Sequence, residues 1–192
     1  MLTPFQPVGP YFHVMLDGLG RIARLADEGA RGQRITISGV LRDGAGKPLP
    51  DGMIEIWQAD AEGRYRHPED PRGEDADTHF WGYGRVDTDD AGAFRFETIK
   101  PGTVPGTDGG PQAPHVVVSV YAPGILTRFF TRLYFPDEPA NETDAVLTLV
   151  PAHRRHTLVA ARDPSTTLGA GVVGYHFDIV LQGANETVFF DA

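Results

Sequence analysis

Arg34-Ile35-Thr36-Ile37-Ser38-Gly39-Val40-Leu41 is the stretch on which the fold turns. Ile35 and Ile37 fall on one side of an extended chain, Thr36 and Ser38 on the other, the period of two of a half-buried strand. Working outward, the alternation returns at Ile54 and Ile56, with Glu55 and Trp57 opposite, then at Phe94 and Phe96. It recurs at Val116, Val118 and Val120, and again at Phe177, Ile179 and Leu181. Asp43-Gly44-Ala45-Gly46, Asp51-Gly52, Asp89-Asp90-Ala91-Gly92 and Lys100-Pro101-Gly102 separate these runs as turn signals. Further strands are predicted at residues 130–135, 146–150, 156–161 and 187–190. About eight to ten short strands with little helix predict an all-β fold, a β-sandwich of two antiparallel sheets.

Composition agrees. A chain of 192 residues fits one domain, and 23 Gly and 16 Pro spread along it punctuate many short strands. A single domain is predicted over residues 1–192, with residues 1–33 as an extended, Pro-bearing N-terminal arm followed by a weak helix near residues 17–28. The formal charge of −9 without a Lys/Arg-rich run disfavours a phosphate-backbone partner. Without cysteine there is no disulfide, thiolate ligand or thiol nucleophile. No basic segment followed by an apolar stretch opens the chain, and no run nears 18 apolar residues, so a cytoplasmic protein is expected. Residues 67–80 and 103–113 are poor strand material, and long loops on a rigid scaffold are where binding concentrates.

The most specific pattern is Ile37-Ser38-Gly39-Val40-Leu41, Gly46, Leu49, Ile54-Glu55-Ile56 and Gly63-Arg64-Tyr65, followed by Thr98-Ile99-Lys100-Pro101-Gly102 and Ala113-Pro114-His115. This spacing resembles the intradiol ring-cleaving dioxygenases over nearly the whole chain. The resemblance implies a ferric ion held by two tyrosinates and two histidines, a hard cation matched by phenolate and imidazole, which a catecholic substrate chelates before dioxygen attacks. The first Tyr would be Tyr65 and the first His would be His115. Val104 stands at the second Tyr position and Val117 at the second His position, and valine has no donor atom. One Tyr and one His make a poor ferric site, so no catalytic residue and no metal are expected in this chain.

An intact scaffold with a half-erased metal site resembles the iron-free subunit of the family's two-chain members. That implies a homologous iron-bearing partner subunit holding Fe(III), a small aromatic acid as substrate and a higher hetero-oligomer. Gly9-Pro10-Tyr11 resembles the arm that walls the partner's site, with Tyr11 as an aromatic wall. Thr131-Arg132-Leu133-Tyr134-Phe135 and the stretch from Phe177 to Asp191 fit the same subunit type. An Arg that such subunits place before the turn glycine is here Pro123, before Gly124, and Arg128 is the nearest basic residue to replace it.

Blander readings compete. Tyr65 and His115 could be a buried hydrogen-bonded pair, and Arg128 and Arg132 could make ion pairs across an interface. His153-Arg154-Arg155-His156 reads as a solvated turn, having no nearby third ligand. The acidic run at residues 69–77 lacks the alternating spacing and central Gly of a calcium loop. The apolar Phe129-Phe130 run is expected to bury itself against another chain.

Overall fold

The computed structural model describes residues 20–106, 109–166 and 171–191. They are all β, joined by short 3₁₀ turns. In chain order the strands are β1 (Arg34–Arg42), β2 (Met53–Trp57), β3 (Tyr83–Asp87), β4 (Ala93–Ile99), β5 (Val104–Pro105), β6 (Pro111–Gln112), β7 (His115–Tyr121), β8 (Phe129–Tyr134), β9 (Ala161–Arg162), β10 (Val173–His176) and β11 (Ile179–Val180). A five-stranded sheet gathers β4, β9, β10 and β11 around β1, a four-stranded sheet runs β3-β2-β7-β8, and β5 and β6 form a small hairpin. No helix among the described residues is long and apolar enough to cross a membrane.

Alternation sets the two faces. Ile35, Ile37 and Leu41 of β1, Ile54 and Ile56 of β2, Phe94 and Phe96 of β4, and Val116, Val118 and Val120 of β7 meet in one buried cluster. Both larger sheets therefore contribute to a common core, the expected use of period-two strands with one apolar face. The turn residues close the hairpins by side-chain hydrogen bonds: Asp43 Oδ1 accepts from the amides of Ala45 and Lys47, and Asp89 Oδ1 from those of Ala91 and Ala93.

Several expectations need correction. Pairing is not antiparallel throughout, because β1 runs parallel to both β10 and β11, which return along its edge late in the chain. The described part of the expected helix at residues 17–28 is extended instead: Ile22, Arg24 and Ala26 bridge to Arg85, Glu97 and Phe80. Those bridges bury Leu25 and Ala26 at the sheet edge, a gain a Gly-weakened helix could not match. Leu147–Leu149 and Arg155–Leu158 are 3₁₀ turns rather than strands. Residues 187–190 cover β8: Phe190 N donates to Phe130 O, Thr131 Oγ1 to Val188 O, and the Phe129 and Phe189 rings lie 4.9 Å apart. The Phe129-Phe130 run is thus partly covered by its own chain.

Candidate functional site

Two loops build the site, and one buried carboxylate ties them. After β2 the chain turns through Asp60, whose Oδ1 accepts from the amides of Glu62 and Arg64 while Oδ2 accepts from Asp77 N and Arg64 Nε. Its carbonyl accepts from the amides of both Gly63 and Gly102. Gly63 lies at φ +74°, and a Cβ there would sit 1.7 Å from Thr103 O; a Cβ on Gly102 would sit 2.5 Å from Ala61 O. Gly63-Arg64-Tyr65 and Lys100-Pro101-Gly102 are therefore glycine motifs because the two backbones lie against each other. That contact brings Tyr65 and Val104 to one cleft.

The cleft has a volume of about 530 Å³ and is lined by Trp57, Tyr65, His67, Arg72, Val104 and Pro105, among others. Tyr65 stacks on Trp57 with ring centroids 5.8 Å apart and planes 7° from parallel, and His67 meets Trp57 edge-on at 6.3 Å. Asp70 Oδ2 accepts from Tyr65 N at 2.8 Å and pairs with Arg72. Burial raises the Tyr65 phenol above its ordinary pKa, against the opposing charge of Arg132. Val104 is buried and apolar.

His115 and Val117 alternate on the face of β7 that points away from the common core. Val117 lies between Trp57 of β2 and Arg132 of β8, and His115 pairs with Tyr134. His115 is buried, and its Nδ1 donates to Ala113 O at 2.8 Å, the only sense in which a carbonyl can take part. Burial first, and the Arg132 charge second, push its pKa down to about 4, so the ring is neutral near pH 7. Beside it Asp144, fully buried, accepts from the amides of Ala113, Val146 and Leu147 and from the Tyr134 hydroxyl. Burial, foremost, raises the Tyr134 phenol well above its ordinary value.

The sequence-derived candidates divide. Tyr65 and Val104 share the cleft with Trp57, which stands across the sheet from Val117, and His115 lies on the same face of β7; a Tyr65–His115 hydrogen bond is not made. His115 is held by Ala113 O and packs against Tyr134, with centroids 5.8 Å apart. Within the chain, Arg132 Nη1 donates to Gln112 Oε1 at 2.7 Å and to Tyr134 OH at 3.4 Å. Arg128 lies exposed in the connection between β7 and β8, its guanidinium 4.3 Å above the Phe130 ring, at the end of the hairpin far from His115. Pro123 opens that connection ahead of Gly124 at φ +86°. Gly9, Pro10 and Tyr11 lie outside the described residues. The arginines of the 153–156 turn bind backbone carbonyls, Arg154 that of Glu186 and Arg155 those of Val150 and Thr148.

Asp60 and Asp144 organise the site and escaped the sequence reading. Each carried a signal: Asp60 precedes Gly63 as an Asx turn does, and Asp144 precedes a helical turn as an N-cap does. The donor set does not fit the ferric shell. Tyr65 and His115 supply two donors, Val104 and Val117 supply none, and burial opposes ionisation of Tyr65. Among the described residues, no three His or carboxylate side chains gather as a substitute.

A family model described as Dioxygenase matches residues 8–183. The chain belongs to the intradiol ring-cleaving dioxygenases, a family of non-heme iron enzymes. It is 42% identical over 200 residues to the protocatechuate 3,4-dioxygenase alpha chain of Burkholderia cepacia, covering 98% of this chain and 96% of that one. It is 37% identical over 158 residues to the beta chain of the same enzyme from that organism, covering 81% of this chain and 67% of that one. The dioxygenase domain of a carbohydrate-binding fusion protein from Streptomyces sp. SirexAA-E superposes with a TM-score of 0.64 at 31% identity, covering 95% of this chain and 99% of that domain.

Proposed function

We propose that this chain is the iron-free, alpha-type subunit of a protocatechuate 3,4-dioxygenase, a two-sheet β-sandwich that completes the active site of a homologous iron-bearing subunit in the cytoplasm. One observation carries the reading: valines stand at two of the four ligand positions on an otherwise preserved scaffold, in a chain similar to alpha chains over nearly its full length. An iron held by the partner would supply the Lewis-acid and redox chemistry for cleaving a catecholate ring with O₂. The reaction would convert 3,4-dihydroxybenzoate and O₂ to 3-carboxy-cis,cis-muconate, with both oxygen atoms entering the product.

This chain's own contribution is a wall. Gly9, Pro10 and Tyr11 would line the partner's pocket, and Arg128, exposed on its hairpin, would supply the positive charge that attracts the aromatic carboxylate. With Pro123 where related subunits are expected to carry an arginine, that charge would fall to Arg128. Several copies of the two-chain unit would assemble further.

The test is expression of the chain alone and together with an iron-bearing homologue. The complex is expected to be red-brown from tyrosinate-to-iron absorption and to consume O₂ with 3,4-dihydroxybenzoate, while the chain alone is colourless and inactive. Stoichiometric ferric iron and catechol cleavage by the chain alone would falsify the proposal.

A further inference from the structure

We infer that the guanidinium of Arg132 is the cation this chain keeps in place of a metal, and that its charge, beyond the two missing donors, closes the site to ferric iron. The inference rests on the family reading of Tyr65, Val104, His115 and Val117 as ligand positions. Four observations support it.

First, Arg132 stands directly across the sheet from Val117, in the row Trp57–Val117–Arg132, on the face that also carries His115 and Tyr134. Second, its Nη1 reaches the Tyr134 hydroxyl, and the Tyr134 ring lies 5.8 Å from that of His115, so the guanidinium stands beside a remaining donor. A cation bound at that donor would feel the same charge. Third, Arg132 is half-buried, and among the described residues it makes no ion pair; its hydrogen-bond partners are the neutral Gln112 Oε1 and Tyr134 OH. A carboxylate does stand behind, but through Tyr134: the hydroxyl accepts from Arg132 and donates to Asp144. The guanidinium charge is thus placed by a neutral relay and not cancelled at contact. Fourth, arginine cannot lose its proton in a protein, so this charge persists at every working pH.

Repulsion between a fixed guanidinium and a trivalent ion in a partly desolvated site is large, because water no longer screens it. Restoring both donors should therefore not restore iron. Erasure of the ligands and installation of the arginine are then two separate locks on one site.

The experiment restores the donors with the arginine present or absent. Val104→Tyr/Val117→His is prepared in the full chain, alone and combined with Arg132→Gln or Arg132→Lys. Where the chain is soluble only with its partner, iron is counted above that of the unchanged complex. Each is loaded with ferric iron, freed of excess, and assayed for metal content and for tyrosinate-to-iron absorption. The Arg132→Gln form is expected to retain at least about tenfold more iron than the form keeping Arg132, and to colour, while the Arg132→Lys form stays pale because the charge remains. Equal uptake with Arg132 present, or uptake by the Lys form matching the Gln form, overturns the role of the charge and leaves the ligand positions standing. No uptake by any form, with native circular dichroism, overturns the ligand positions themselves and the inference with them. Should Val117→His not fold, Val104→Tyr with and without Arg132→Gln gives the same comparison on three donors.

Discussion

The cradle of the site and its contents obey different rules. The cradle is backbone and buried carboxylate: Asp60 joins the Gly63 and Gly102 loops, and Asp144 joins Ala113 to the turn at Val146 and Leu147. The contents are side chains: Tyr65 and Val104 in the cleft, His115 and Val117 on the neighbouring face of β7, two of them polar and two not. Folding depends on the cradle, since a buried carboxylate stripped of its amide partners is costly. It depends far less on what the cleft displays. A chain can therefore change its metal chemistry while keeping every motif glycine.

That contrast can be broken or sharpened by measurement. Asp60→Ala should destabilise most, by about 3–5 kcal/mol in chemical denaturation, because it leaves Arg64 with Glu62 as its one remaining carboxylate among the described residues and strips three buried or part-buried amides of their acceptor. Gly63→Ala should cost about 3 kcal/mol or more, combining a left-handed backbone with a collision against Thr103 O.

The next effect is on pH dependence. His115 has a folded pKa near 4 against 6.5 in the unfolded chain. The unfolded state therefore binds more protons between those values, and the contribution of a neutral His115 is complete above pH 6.5 and lost as pH falls towards 4. The loss amounts to at most about 3 kcal/mol. Stability curves of the wild type and His115→Leu, recorded from pH 8 to pH 4, should differ in slope in that window and run parallel above it. Tyr65→Phe should change stability least, within about 0.5 kcal/mol, because no hydrogen bond to its hydroxyl is present among the described residues. A larger cost there than at Gly63 would erase the distinction between cradle and contents.

The strands that pair inward aliphatic or aromatic residues were legible: β1, β2, β4 and β7 lie where alternation placed them, and β8 lies within a residue of the strand predicted at 130–135. β3 was not, for a simple reason. Its inward positions are Gly84 and Val86, and glycine has no side chain with which to show a period. Residues 146–150 alternate like a strand, yet Asp144 takes the amides of Val146 and Leu147 and winds them into a 3₁₀ turn. Of the site, the Gly63 and Gly102 loops that set Tyr65 and Val104 on one cleft were readable because motif spacing is local. The partners of Arg132 were not, because Gln112 and Tyr134 meet it only through pairing across strands.

The parallel pairing of β1 has a consequence for synthesis on the ribosome. β1 is translated early, but residues 173–180, which supply its second edge, emerge more than a hundred residues later. Until then β1 can be zipped only to β4, and its other edge is an unpaired row of amides and carbonyls facing solvent. The nascent chain must be shielded through that interval, so slowed elongation between β4 and β10 should lower the soluble yield more than the same delay placed after β11.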